Sequence, residues 1–182
     1  MVRRVGLKRV AVILIVPLIL ASGWGIWSHY GSRPVPPDLA VQAERVDHIL
    51  IEKSARRLTA RRNGQVVLEF NIALGFAPEG DKQQEGDGKT PEGLFKIDRR
   101  NPNSSFYLSL GLNYPRPRDV ARASEAGLSP GGDIFIHGQP NALGQALVLP
   151  GDWTEGCIAV TNSQMERLWH LAGLGTRVEI RP

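Results

Sequence analysis

LTARRNGQVVLEFNIAL, residues 58–74, is the stretch whose reading decides the fold. Asn63-Gly64 supplies the two positive-φ residues that a two-residue hairpin turn requires. Beyond it Val66, Leu68, Phe70, Ile72 and Leu74 alternate with Val67, Glu69, Asn71 and Ala73, the period of a strand with one buried face. The spacing predicts an antiparallel hairpin, 58–62 against 66–74. Arg56, Arg57, Arg61 and Arg62 flank the turn, as charges do that guard a solvated edge. Contact with an anionic polymer is the alternative.

Outward from the hairpin, His48–Glu52, Leu94–Ile97, Phe106–Leu110, Asp133–His137 and Arg177–Arg181 read as further strands, with a polar, Gly-rich loop over 75–89. Thr90-Pro91-Glu92-Gly93 has proline second and glycine fourth, a β-turn pattern. Pro117–Ala126 reads as a short helix. A second helix opens at Thr161, with Gln164 completing a capping box and Val160 stapling onto Met165. Its Met165, Leu168, Trp169 and Ala172 form one apolar face, and Gly173 ends it. The fold class is mostly β with short helices (α+β), with no internal repeat. GDGKTPEG (86–93) contains the Gly-Lys-Thr of a phosphate loop, but position 83 is Gln and Pro91 forbids the helix that must follow.

The first 37 residues stand apart. Arg3, Arg4, Lys8 and Arg9 precede an uncharged, mostly apolar run from Val10 to Trp27. Such a pattern is an export signal, either retained or cleaved. Its length is near the lower limit for spanning a bilayer, and Trp24 and Trp27 suit the far interface. A retained anchor is the preferred reading; cleavage near Ala21-Ser22-Gly23 is the alternative. Residues 1–30 are thus assigned to the signal or anchor, 31–38 to a Pro-rich linker and 39–182 to one globular domain. The expected location is the periplasmic side of an inner membrane, or free in the periplasm if the signal is cut. Four of the 22 Lys and Arg lie in the first nine residues, leaving 18 basic against 18 acidic. That balance argues against a nucleic-acid partner.

Chemistry concentrates in GDWTEGCIAVTN, residues 151–162, around Cys157, the only cysteine. An exported chain with one thiol cannot form an internal disulfide, so the residue is either a small buried filler or a nucleophile. Gly156 leaves room beside the sulfur, and successive amides at Gly156 and Cys157 can form an oxyanion hole. Asp152, Thr154 and Glu155 place the segment on a surface loop. A thiol nucleophile needs a base. His29 flanks the apolar run, His48 lies in a strand and His170 on a helix, positions that suit structural or solvated side chains. His137 ends a buried strand and is followed by Gly138. Asp133 lies four residues back, about 13 Å at strand rise, too far to orient it. One Cys and one His make a poor zinc site, so neither metal nor cofactor is expected.

Ile136-His137-Gly138, a spacer, then Thr154-Glu155-Gly156-Cys157-Ile158 resembles the signature of the YkuD-type L,D-transpeptidases. The hairpin and Thr90–Gly93 resemble the opening of that family, and the likeness covers residues 46 to 181. Glu155 stands where many members have a second His, and Ala159 where many have Asn or Arg. The Cys-Ile-Ala-Val-Thr-Asn run is closer to the YafK-like branch. The resemblance implies a catalytic β-sandwich acting on peptidoglycan stem peptides. Cys157 would be the nucleophile and His137, oriented by a backbone carbonyl, the general acid and base. Gly138, Thr154, Glu155 and Gly156 would bind substrate or its oxyanion. The acyl group would pass to another stem in wall cross-linking, to a wall-attached protein, or to water. Two rivals remain: a hydrolase of the same Cys-His chemistry, and a non-catalytic peptidoglycan-binding module.

Overall fold

The computed structural model describes residues 35–143 and 147–182. The expected anchor lies outside them, as does the first half of the linker. Among the described residues no helix is long and apolar enough to cross a membrane.

The hairpin forms as the sequence dictates. Strands β1 (His48–Glu52), β2 (Arg57–Arg62) and β3 (Gln65–Asn71) are followed by β4 (Gly93–Asn101) and β5 (Ser109–Leu112). Helix α1 (Pro117–Glu125) comes next, then β6 (Phe135–His137), β7 (Ile158–Ala159), α2 (Asn162–Leu171) and β8 (Arg177–Arg181). Asn63 and Gly64 have φ of 51° and 82°, and Arg62 pairs with Gln65 across the turn. Leu68, Phe70, Ile72 and Leu74 are buried, while Val66 at the turn end is exposed.

The strands form one sheet in the order β3-β2-β1-β8-β4-β5-β6-β7. β4 serves two neighbours in turn: Gly93–Lys96 pair with β8, then Ile97–Asn101 with β5. The register shifts between Ile97 and Arg99, an irregularity of the kind that bends a strand. Past β3, the Ala73 amide donates to the Ala159 carbonyl at 2.9 Å, and the Ala159 amide returns a bond to Ala73 at 2.8 Å. The two ends of the strand order are thereby joined. The expected β-sandwich of two layers is instead a single sheet wrapped toward a barrel.

Ile49, Leu58, Leu110, Ile136, Ile158 and Val178 fill its inside and are fully buried. α2 packs on β5 and β6 through Met165, Leu168 and Trp169. Fully burying each such side chain is worth about 1.5–3 kcal/mol. Its capping box forms as expected: Thr161 Oγ1 accepts from the Gln164 amide, and Gln164 Oε1 accepts from the Thr161 amide.

Two local expectations fail for long-range reasons. β5 starts at Ser109 rather than at Phe106, because Tyr107 has a φ of 69°. That conformation is rare for an aromatic residue. Here the Tyr107 amide donates to Asn141 Oδ1 and its hydroxyl bonds Glu166. Residues 90–93 do not form the expected turn but run extended into β4. Buried Lys53 holds them there, with Nζ bonded to the Gly80 and Thr90 carbonyls and to Glu92.

Among the described residues, the first ties of the chain to the domain run to α2: the Ala40 amide donates to the His170 carbonyl, and His170 Nδ1 bonds the Asp38 carbonyl. A chain starting at residue 38 keeps both. It should therefore melt cooperatively as a folded domain; aggregation of that chain, with the full-length protein folded in detergent, would place the boundary elsewhere.

Candidate active site

β6 and β7 run parallel, with Ile136 opposite Ile158 and His137 opposite Ala159. Ile136 and Ile158 point into the core. By strand alternation Phe135, His137 and Cys157 share the other face. Cys157 and His137 are one strand apart and two residues offset, about 8 Å between Cα atoms by strand geometry. Both line a cavity of about 550 Å³, with Phe106, Trp153, Asp133 and Glu155 also in its wall.

His137 is buried, and its Nδ1 lies 2.7 Å from the Gly138 carbonyl oxygen. A carbonyl can only accept, so Nδ1 carries the proton and Nε2 keeps its lone pair. The Phe106 ring sits 4.6 Å away, centre to centre, and Trp153 meets the imidazole edge-on at 5.7 Å. Burial pushes the imidazole pKa below its ordinary value, against the opposing pull of the Gly138 carbonyl. Cys157 keeps part of its surface open. Its thiol donates to the Asp133 carbonyl and accepts from the Phe135 amide, each at 3.4 Å. Desolvation by the surrounding protein pushes the thiol pKa up. Asp133 pushes the same way, while the Phe135 amide and Lys82 oppose it. The resting pair at neutral pH is a neutral thiol and a neutral imidazole.

The remaining expected site residues divide. The Gly138 amide is committed to the Phe106 and Leu108 carbonyls, so it is no oxyanion donor; its carbonyl is the histidine's anchor. A Cβ there would lie 2.6 Å from Asn162 Oδ1 and 2.8 Å from Tyr107 Cβ. Thr154 is buried, its hydroxyl donating to the Cys157 carbonyl at 2.7 Å and accepting from the Gly156 amide at 3.2 Å. Thr154 thus shapes the loop, and Gly156 has already spent its amide inside it. No protein acceptor takes the Cys157 amide among the described residues. It is the donor left for an oxyanion. Glu155 is exposed at the cavity wall. Asp133 sends its carboxylate outward to Arg99 at 3.1 Å, and holds the thiol through its backbone.

Gly156 has φ of 125°, and a Cβ there would lie 2.6 Å from the Lys89 carbonyl oxygen. Gly156→Ala should destabilise by more than about 1 kcal/mol and displace the adjacent thiol. Gly151, with φ of 68° and open space around it, is the comparison: Gly151→Ala should melt closer to wild type and keep thiol reactivity. Equal melting of the two variants would refute the close contact with Lys89. Phe106 and Trp153 are not legible as site residues in the sequence, because ring contacts with a histidine far along the chain leave no local pattern.

Among the described residues no group of three or more His, Cys, Asp or Glu side chains is placed to hold a metal ion. A wrapped, mostly β sheet with a cysteine and a histidine opening into one cavity defines a class of small β-rich domains. The chain belongs to the family of YkuD L,D-transpeptidase catalytic domains, whose model matches residues 46–180. It is 28% identical over 107 residues to YafK of Escherichia coli (strain K12), a stretch covering 58% of this chain and 37% of YafK. The crystal structure of the helical cell shape determining protein Pgp2 from Campylobacter jejuni is similar at 25% identity with a TM-score of 0.57. That match covers 86% of this chain and 55% of the other. Bd1075 of Bdellovibrio bacteriovorus is similar at 26% identity and a TM-score of 0.55, over 79% of this chain and 50% of the other. The chain thus spans roughly a third to a half of these relatives' lengths.

Proposed function

We propose that the protein is a peptidoglycan acyltransferase of the L,D-transpeptidase type, with Cys157 as nucleophile and His137 as proton carrier. The observation that carries this reading is the shared cavity, in which an imidazole anchored through Nδ1 keeps Nε2 unprotonated on the same sheet face as the only thiol. Family membership supplies the substrate class, the peptide stem of the cell wall.

In the resting site the S–H proton points to the Asp133 carbonyl. Rotation about the Cβ–Sγ bond turns it toward Nε2, which takes it as Sγ attacks the stem's carbonyl carbon. The carbonyl π pair moves to oxygen, and the Cys157 amide is the donor available to meet that charge. Collapse of the intermediate re-forms the carbonyl and breaks the C–N bond. The leaving amine takes the proton from Nε2, and a thioester remains on Cys157. An incoming amine then repeats the sequence in reverse, delivering its proton through His137 and releasing the free thiol.

Digestion of isolated peptidoglycan with the protein, and mass analysis of the products, tests this. New cross-links between two diamino acid residues support transfer. Shortened or released stems without new cross-links would make the enzyme a hydrolase of the same chemistry. An unchanged digest would leave only a wall-binding module. The expected membrane anchor belongs to the same proposal, placing the domain just outside the bilayer that faces the wall.

A further inference from the structure

A second cavity, of about 520 Å³, lies away from the thiol. It is lined by Arg45, Asp47, Arg62, Leu174 and Arg177 among others, where β1 and β8 begin and β2 ends. Its three arginines are not neutralised. Arg45 donates to the Ala40 carbonyl and the Gln42 side chain, and Arg62 to the Glu44 carbonyl. Arg177 is exposed, and among the described residues its side chain makes no hydrogen bond. None of the three forms an ion pair with a carboxylate among the described residues. Asp47 is the one carboxylate in the lining, and one of its oxygens is engaged by the Asn63 amide.

The rest of the chain cannot supply the missing charge. Residues 1–34 contain no Asp or Glu, and 144–146 are Gly-Gln-Ala. Positive charge is also crowded behind the cavity: burial first, and Arg45 second, push the Arg100 guanidinium pKa down. Leu174 in the lining is 65% exposed, and Val41, next in the chain to the lining residue Gln42, is 64% exposed. Apolar tips beside unpaired guanidiniums suit the boundary between headgroups and acyl chains. The chain itself arrives here: residue 38 bonds α2, and Ala40 is buried just ahead of Val41. The linker, residues 31–38, can span at most about 26–29 Å fully extended, which keeps the cavity within reach of a bilayer.

We propose that this cavity binds the phosphate of an anionic phospholipid headgroup, with Arg45, Arg62 and Arg177 around it, and so seats the domain on the membrane surface. The proposal rests on residues 1–30 being a retained anchor. Seating would fix the orientation of the catalytic cavity relative to the bilayer, which a tether at one point leaves free.

The test uses the full chain in nanodiscs of phosphatidylcholine with a rising fraction of phosphatidylglycerol, read by amide hydrogen exchange. Amides of residues 41–47 and 173–177 should gain protection as phosphatidylglycerol rises. One basic residue near an anionic surface is worth about a fivefold change in affinity. Arg177→Gln should therefore need about fivefold more anionic lipid for half-maximal protection, at an unchanged melting temperature. Arg181→Gln removes the same charge at the far end of β8, where Arg181 is paired with Glu179, and should match wild type. Equal effects of the two variants would reduce the site to bulk charge and overturn it. Protection on neutral discs by dissolved glycerol phosphate, at the level that anionic lipid gives, would make the ligand a soluble phosphate and overturn the lipid assignment. A chain that enters discs without lipid-dependent protection sinks the cavity alone. A chain that enters no disc sinks the anchor and the proposal together.

Discussion

Incubated with a carbapenem, the wild-type protein should gain the mass of one drug molecule, and Cys157→Ala should gain none. A β-lactam is a strained amide whose opened ring stays attached to the nucleophile, so the mass shift counts acylated thiols directly. The expectation rests on position. Cys157 is the only cysteine, it opens into the cavity, and a Cys157 amide without a protein acceptor lies beside it. Substitution to alanine removes only the sulfur, whose hydrogen-bond partners among the described residues are the Asp133 carbonyl and the Phe135 amide. The fold should survive, which a melting curve checks. An adduct that persists in Cys157→Ala would refute the assigned nucleophile.

His137→Ala should slow acylation by about 10²- to 10⁴-fold near pH 6, the usual worth of general-base help. The sign of the pH dependence follows from the two displaced groups. The imidazole pKa is pushed below its ordinary value by burial, so in wild type more of Nε2 stays free to accept a proton at low pH than in an ordinary histidine. The thiol pKa is pushed up, so the variant must wait for spontaneous ionisation. That fraction grows about tenfold per pH unit below the thiol pKa. The deficit should shrink accordingly as the pH rises toward 10. His48→Ala and His170→Ala should show no such profile. His48 pairs with Glu179 at 3.3 Å, and His170 bonds the Asp38 carbonyl. Wild-type acylation rates in His137→Ala at pH 6 would dismantle the proposed pair.

Much of this arrangement was legible in the chain. Asn63-Gly64 with its alternating strand, and Thr161 with Gln164, are local devices whose partners lie within a few residues. Cys157 and His137 were legible as candidates because of what surrounds them: a glycine beside each, and a strand that ends at the histidine. The errors have a common cause in distant partners. Phe106 and Tyr107 look like strand residues, but Asn141 and Glu166 hold Tyr107 in a left-handed turn. Thr90–Gly93 carries turn chemistry, yet Lys53, nearly forty residues earlier, pulls it straight. The oxyanion roles expected of Gly138 and Gly156 fell because their amides were already engaged, by Phe106 and by Thr154. The sequence draws notice to the carboxylate of Asp133, while what reaches the thiol is its carbonyl.

The mutual bonds of Ala73 and Ala159 also constrain how a peptide can approach. β7 has β6 on one side and the Ala73 segment on the other, so the strand that follows the nucleophile offers no unpaired ladder. Many peptide-binding proteins recognise an extended ligand by letting it join a sheet edge, reading main chain first and side chains second. That mode is closed here. A stem peptide, if it is the substrate as proposed, would lie across the strands rather than along them, between the walls of Phe106 and Trp153.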